Sequence, residues 1–252
     1  MTVSDPIAHG ERGTLEPPQV RAMFDRIAGM YDVLNTVMTA GLHHRWRQRA
    51  ADLAAVGPGA RVLDVAAGTG DLTIELASRV APNGEVVGCD FSEQMLARAR
   101  AKAPGLRFEI GDALALGYDD DAFDAATVGF GARNFSALEP GLREMIRVVR
   151  PGGRVVVLDF TTPRRAPLST FFALWFDRVV PVLGRLSSQP EAYGYLSSSV
   201  RRYPGPREVA ELMELCGLKN ISYIITAGGI VTLHVGEVES SPRSAQRTAA
   251  TR

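Results

Sequence analysis

The stretch from Arg61 to Leu72, RVLDVAAGTGDL, constrains the fold of this chain more than any other. Val62, Leu63 and Val65 make the short apolar run of a parallel strand covered on both faces, and Asp64 interrupts it near the carboxyl end. Gly68 and Gly70 permit backbone conformations closed to other residues, and a helix begins near Asp71. A strand that runs through a glycine turn into a helix brings bare backbone up against a nucleoside ligand.

Strands and helices then alternate as a parallel sheet demands. Glu85 to Asp90 reads as a second strand, Leu106 to Ile110 as a third, Phe123 to Phe130 as a fourth and Arg154 to Phe160 as a fifth. Ser92 suits the N-cap of a helix through Lys102 that Pro104-Gly105 stops. Leu138 to Val149 reads as another helix and Pro151-Gly152-Gly153 as a turn. Pro206 to Cys216 is a helix closed by Gly217, and the segments Asn220 to Thr226 and Ile230 to Val238 are strands about a Gly228-Gly229 hairpin.

Two ligand classes use a turn like the first one. A dinucleotide site wants a third glycine for close packing of helix on strand, and Thr73 follows here instead. Asp71 places a negative charge at the helix start, where a pyrophosphate would sit. A ligand carrying an ammonium and a sulfonium, such as S-adenosylmethionine, suits that charge better. Asp90 lies 20 residues after Gly70, where an acid can accept both ribose hydroxyls of an adenosine, and it fits either ligand. Asp112 and Ala113, beyond the third strand, are placed to read an adenine edge. Asp64, Asp90 and Asp112 are therefore expected to line one crevice at the carboxyl ends of their strands.

With 252 residues the chain can bury a substantial core in one domain, expected over residues 18–238. Lys plus Arg and Asp plus Glu both number 28, so no global basic field argues for nucleic acid. Cys89 and Cys216 form no C-x-x-C, which disfavours disulfide and metal readings and makes a cytoplasmic compartment the default. Residues 1–17 lack the features of a signal peptide and read as a flexible arm. Residues 239–252, rich in Ser, Ala, Thr and Arg, read as a disordered tail.

Two segments outside the sheet should hold the substrate. In the first, residues 18–56, Val20, Met23, Phe24, Ile27, Tyr31 and Leu34 recur at helical spacing over Pro18 to Leu34, before a basic stretch of Arg45, Arg47 and Arg49. The second, residues 163–203, carries Phe171, Phe172, Trp175 and Phe176 between Arg164-Arg165 and Arg185. Asp177, Arg178 and Pro181 interrupt its apolar run, so it is too short and too polar to span a membrane. An apolar cap that grazes a bilayer fits it better.

Several blocks in order carry a resemblance over Phe24 to Val238. Tyr31-Asp32-x-x-Asn35 with His43 and Trp46, and the segment from Arg147 to Thr161, are similar to the two signatures of the menaquinone and ubiquinone biosynthesis C-methyltransferases. Phe130-Gly-Ala-Arg133-Asn134, Tyr193-Gly-Tyr195-Leu196 with Ser199, and Gly228-Gly229-Ile230 with His234 resemble further blocks of that family. The resemblance implies the class I S-adenosylmethionine-dependent methyltransferase fold: α/β, a Rossmann-like seven-stranded sheet of order 3-2-1-4-5-7-6, with helical cap elements. It implies methyl transfer to a ring carbon of a polyprenylated quinol, with demethylmenaquinol favoured. Thr69, Asp90, Asp112 and Ala113 would contact the cofactor, with Asp64, Gly68 and Gly70 of the turn beside them. Gly129 stands where the family often has serine, and Asp159 where it commonly has glutamate.

The chemistry requires a base. An aromatic carbon is a poor nucleophile until an adjacent hydroxyl loses its proton, so the quinol should react and the quinone should not. His43, Asp159, Tyr31 and Tyr195 are the candidates, and Asp159 is favoured by its place at a strand's carboxyl end. Tyr31 and Tyr195 also suit pocket walls, Arg133 and Asn134 could orient cofactor or ring oxygens, and Asn35, Phe171 and Trp175 complete the expected substrate site. A prenyl tail has to stay in lipid or enter an apolar groove, at about 0.8 kcal/mol per buried CH₂, so contact with the inner membrane face is expected. A ubiquinone-precursor benzoquinol, a soluble phenol, a nicotinamide-dependent oxidoreductase and a non-catalytic binding module remain alternatives. The sequence leaves oligomeric state open, a homo-oligomer included.

Overall fold

A computed structural model describes residues 15–163, 166, 168–174, 178 and 190–240. The expected arm up to residue 14, the tail from residue 241 and Trp175 lie outside them, as does the side chain of Phe171. A seven-stranded sheet forms the centre, built from β1 (Arg61–Val65), β2 (Glu85–Asp90), β3 (Arg107–Ile110), β4 (Phe123–Gly129), β5 (Val149–Phe160), β6 (Leu218–Thr226) and β7 (Val231–Val238). Its order is β3-β2-β1-β4-β5-β7-β6, the order implied by the resemblance. The first five strands are parallel, while β7 runs antiparallel to both β5 and β6.

Helices cover both faces, as the continuous apolar character of β1 and β4 requires. Leu63, Val65, Val128, Val155 and Val157 pack with Met145 of α6 (Leu138–Arg147) and with Met213 of α9 (Pro206–Leu215). On the other face Val62, Val156, Leu158 and Leu233 pack with Leu76 of α4 (Asp71–Val80) and with Ala50 of α3 (Leu42–Leu53). Each fully buried Leu or Val contributes about 1.5–3 kcal/mol against exposure. Ser92 caps α5 (Glu93–Lys102) by accepting from the Met95 amide at 3.2 Å.

Two expectations are corrected. The periodic segment from Pro18 to Leu34 is not one helix; α1 (Pro17–Ile27) and α2 (Tyr31–Thr39) meet at a turn containing Gly29. α1 buries Val20, Met23 and Ile27 against Met95 and Tyr195, and the break lets α2 aim Tyr31 and Leu34 in a new direction. The glycines after Pro151 do not end an element either, because β5 is continuous from Val149. Gly152 takes φ 81°, and a Cβ on Gly153 would fall 2.5 Å from the Asp124 carbonyl, so the pair makes an irregularity inside the strand. In the expected insertion, α7 (Leu168–Leu174) and α8 (Pro190–Arg202) are described.

Candidate active site

The glycine turn forms the floor of a crevice. Gly68 (φ 57°) and Gly70 (φ 84°) carry the chain from β1 into α4 in left-handed conformations. A Cβ on Gly70 would lie 2.9 Å from the Phe108 ring, whereas Gly68 has only Tyr31 near it, at 3.9 Å. One glycine thus seats the turn against β3 and the other keeps backbone open. The crevice encloses about 320 Å³, and Asp64, Gly68, Thr69, Asp90, Asp112, Ala113 and Gly129 all line it; Gly70 does not. A Cβ at Gly129 would meet Leu72 Cδ2 at 3.0 Å, so the absent side chain leaves this wall thin.

Its acids are held by the protein. Asp64 accepts from Thr73 at 2.7 Å and from Thr127 at 2.9 Å, and burial pushes its carboxyl up to about 7 although both hydroxyls oppose the shift. Thr73, which stands in place of a third glycine, therefore holds an acid that a glycine could not. Asp90 accepts from the Gly68 amide at 2.8 Å and the Ser92 amide at 2.9 Å, and burial raises it to about 6 against those bonds. Asp112 accepts from the Leu114 amide at 2.9 Å.

Asp71 does not act as the free charge expected at the helix start. Lys102 Nζ lies 2.7 Å and Arg47 Nη1 3.4 Å from its carboxylate. Burial alone would raise Asp71, but Arg47 and Lys102 hold it below the usual carboxylate range. Lys102 also contacts Asp32 at 2.6 Å, and Thr69 donates to Asp32 at 2.5 Å, so α2 is tied to the glycine turn. His43 belongs to this network and lines neither cavity. It is buried, bonded through Nδ1 to Arg47 and through Nε2 to Thr36 at 3.3 Å, and burial with the Arg47 charge lowers it to about 4. His43, His44 and Asp71 bring potential metal ligands within 4.8 Å of one another, but Arg47 and Lys102 already supply the cations there.

A second, smaller chamber of about 60 Å³ lies under α2. Phe24, Tyr31 and Asn134 line both spaces. Met23, Ile27, Leu34, Met38, Phe160, Leu196 and Tyr195 make the rest of the chamber largely apolar, and Asn35, Thr39, Arg133 and Ser199 are its further polar lining. Asn35 Nδ2, Arg133 Nε and Asn134 Oδ1 are buried without a hydrogen-bond partner. Phe172, the neighbour of Phe171, is buried with Val200 and packs on Leu34.

Asp159 sits behind this chamber and does not line it. It accepts from the Arg133 amide at 3.0 Å and from Arg133 Nη1 at 2.6 Å, and both side chains are almost wholly buried. The Phe160 amide also donates to it, at 2.8 Å. The residue expected as the leading base thus holds a guanidinium, whose central carbon lies over the Phe160 ring 5.2 Å from its centroid. Tyr195 lines the chamber, and burial raises its hydroxyl despite the opposing Arg133 charge, so it is neutral near pH 7. Lys102, Thr127 and the roles of Asp32 and Thr73 escape a reading along the chain; only the signature that contains Asp32 and the threonine where a third glycine was expected marked any of them.

Sheet order, glycine turn and crevice together define the class, an α/β protein of the Rossmann-like methyltransferase type. A SAM-dependent methyltransferase from Thermotoga maritima shares this fold with a TM-score of 0.63 at 17% identity, over 86% of this chain and 99% of that one. The chain belongs to the ubiE/COQ5 methyltransferase family, whose model matches residues 13–238. Demethylmenaquinone methyltransferase of Beutenbergia cavernae is 42% identical, over 87% of this chain and 90% of its own length. Ubiquinone/menaquinone biosynthesis C-methyltransferase UbiE of Geobacter sulfurreducens is 40% identical, over 90% and 91% respectively.

Proposed function

We propose that this chain methylates a ring carbon of demethylmenaquinol with S-adenosylmethionine, giving menaquinol. The single observation that carries the reading is the apolar chamber, with three buried polar atoms still free to bond, joined to an acid-lined crevice through Tyr31 and Asn134. The names of the curated relatives point the same way.

The residues of the crevice fit the cofactor. Its volume reaches the roughly 300 Å³ at which small-molecule sites begin. Asp90 would take the ribose hydroxyls, Asp112 and Ala113 the adenine, and the backbone at Gly68 and Thr69 the remainder. Asp64 would offset cationic charge from the crevice floor. S-adenosylmethionine supplies an electrophilic methyl group on a sulfonium.

The chain's own residues must then ionise and orient the quinol. Arg133, fixed by Asp159, would set a positive charge beside a ring hydroxyl and favour its anionic form. Asn35 and Asn134 would bond the ring oxygens, while Tyr31 and Tyr195 hold the ring in line with the crevice. The hydroxyl proton would leave to solvent or a bound water, the ring carbon would take the methyl as the methyl–sulfur bond breaks and its electron pair stays on the sulfur as a neutral thioether, and loss of that carbon's hydrogen as a proton would restore the aromatic ring. Asp159 is a positioning residue in this scheme, since its oxygens are already engaged by Arg133 and Phe160.

A polyprenylated quinol resides in lipid, so the enzyme would work at the inner membrane surface as a peripheral protein. Among the described residues no helix is long and apolar enough to cross a membrane. The decisive assay supplies S-adenosylmethionine and demethylmenaquinone in detergent, with and without dithionite, and weighs the product by mass spectrometry. A gain of one methyl in the reduced sample alone is expected. No product in either sample, with cofactor binding intact, would move the acceptor to the benzoquinol precursor or to a soluble phenol.

A further inference from the structure

The helix α2 has apolar residues on two faces. Tyr31, Leu34 and Met38 look into the chamber. Val33 and Val37 are 62% and 69% exposed, and with Met30 just before the helix they form a second stripe at helical spacing that faces away from the protein. No residue of α2 is buried, which is unusual for a helix this apolar. Its polar residues are the ones that tie it down: Asp32 bonds Lys102 and Thr69, and Thr36 meets His43.

The chain then turns sharply at Ala40 (φ 48°) and Gly41 (φ 77°) into α3. Leu42, 42% exposed, starts that helix, and Arg45 and Arg49 follow on its exposed side at i+3 and i+7. Among the described residues neither arginine has an ion-pair partner, although most other described arginines do. An exposed apolar stripe with unpaired cations beside it is the surface of an interfacial helix, complementary to acyl chains below and anionic head groups above.

We propose that α2 and the start of α3 dock this chain on an anionic lipid bilayer. Met30, Val33, Val37 and Leu42 enter the acyl boundary, and Arg45 and Arg49 meet lipid phosphates. The chamber lies against the inner face of the same helix, so an apolar-tailed ring would have a short way from lipid to protein. This last clause rests on the quinol reading of the chamber; the docking itself does not. The apolar group at Tyr223, Ile224 and Ile225 on β6 is also exposed, but it borders no cavity described above, which makes it the internal control.

The test is flotation of the full chain with vesicles of phosphatidylcholine and phosphatidylglycerol, against pure phosphatidylcholine. The parent chain should float with the anionic vesicles, less so at high salt. Val33→Asp/Val37→Asp should lower partitioning by about tenfold or more on both vesicle types. Arg45→Glu/Arg49→Glu should lose only the preference for anionic lipid, and Ile224→Asp/Ile225→Asp should float like the parent. Calorimetric binding of S-adenosylmethionine shows that each variant is folded. Flotation of the α2 variant at the parent level, equal loss in the β6 variant, or no flotation of the parent would each overturn the proposal. Methyl transfer to a naphthoquinol without a prenyl chain, in lipid-free buffer, should be the same in the parent and the α2 variant. Its absence in both would sink the quinol reading and leave the docking result standing.

Discussion

The crevice and the chamber share Phe24, Tyr31 and Asn134 as walls, yet they are built by opposite means. In the crevice every acid is already bonded: Asp64 by two threonines, Asp90 by two amides, Asp112 by one. In the chamber one polar atom each of Asn35 (Nδ2), Arg133 (Nε) and Asn134 (Oδ1) lacks a partner. A ligand of the crevice meets acids already held in place by hydrogen bonds, whereas a ligand of the chamber completes unfinished ones. Buried unpartnered polar atoms cost about 1–3 kcal/mol each, so the chamber is the region whose stability should gain most from its own ligand.

The hardest way to break this contrast is to cut the ion pair that shapes the chamber. Asp159→Ala strands the Arg133 guanidinium in a buried site and should destabilise the chain by about 3–5 kcal/mol in urea denaturation. Methyl transfer should be lost while the remaining folded protein still binds S-adenosylmethionine. Loss of turnover at unchanged stability would instead return Asp159 to the role of base.

Asp90→Ala addresses the crevice. It removes a charged acceptor and frees the Gly68 and Ser92 amides, so cofactor affinity should fall by about 1.5–3 kcal/mol in calorimetry. An unchanged affinity would remove Asp90 from the cofactor site.

The pH dependence separates the two regions further. Burial raises Asp90 to about 6 and Asp64 to about 7, so the empty crevice holds protons near neutrality. Both folded values lie above the unfolded one, so their contribution to stability is fully present below the model-peptide value near 4 and is lost as pH rises through about 6 and about 7. A cationic ligand favours the ionised acids, so cofactor affinity should rise roughly tenfold from about pH 5 to about pH 7, with proton release on binding. Asp64→Asn should flatten the upper part of that rise, and an affinity independent of pH in the parent would place the positive charge elsewhere. His43 has the opposite sign: its lowered value of about 4 means stability present above its ordinary 6.5 is lost as pH falls toward 4.

Smaller effects test the chamber's open bonds. Asn35→Ala should lower kcat/KM for the quinol by about 0.5–1.5 kcal/mol and leave cofactor affinity alone. A drop in cofactor affinity instead would mean that the two spaces act as one.

The strands and most helices were legible because their signals are short-range: apolar runs of one strand's length, glycines after them, a serine before α5. The crevice was legible for the same reason, since Asp64, Asp90 and Asp112 each follow from position at the end of a strand. The cap was less so. Periodicity continued from Ile27 through Leu34 and hid the break at Gly29, because an apolar stripe looks alike whether one helix or two present it. Along the chain Asp159 shows no sign of its ion-pair partner, because Arg133 is 26 residues away.

What the sequence by itself determined is the strands, the glycine turn and the three acids at strand ends, all consequences of residue order within single strand-turn-helix units; the order of the strands came from the family resemblance. Only the tertiary structure decided which charges are spent. Asp71 is paired by Lys102 from α5 and Arg47 from α3, Asp64 by Thr127 from β4, and Thr69 by Asp32 from α2. Those partners come from elements that meet only after the chain has packed, and no local period or spacing encodes which side chains that packing brings face to face.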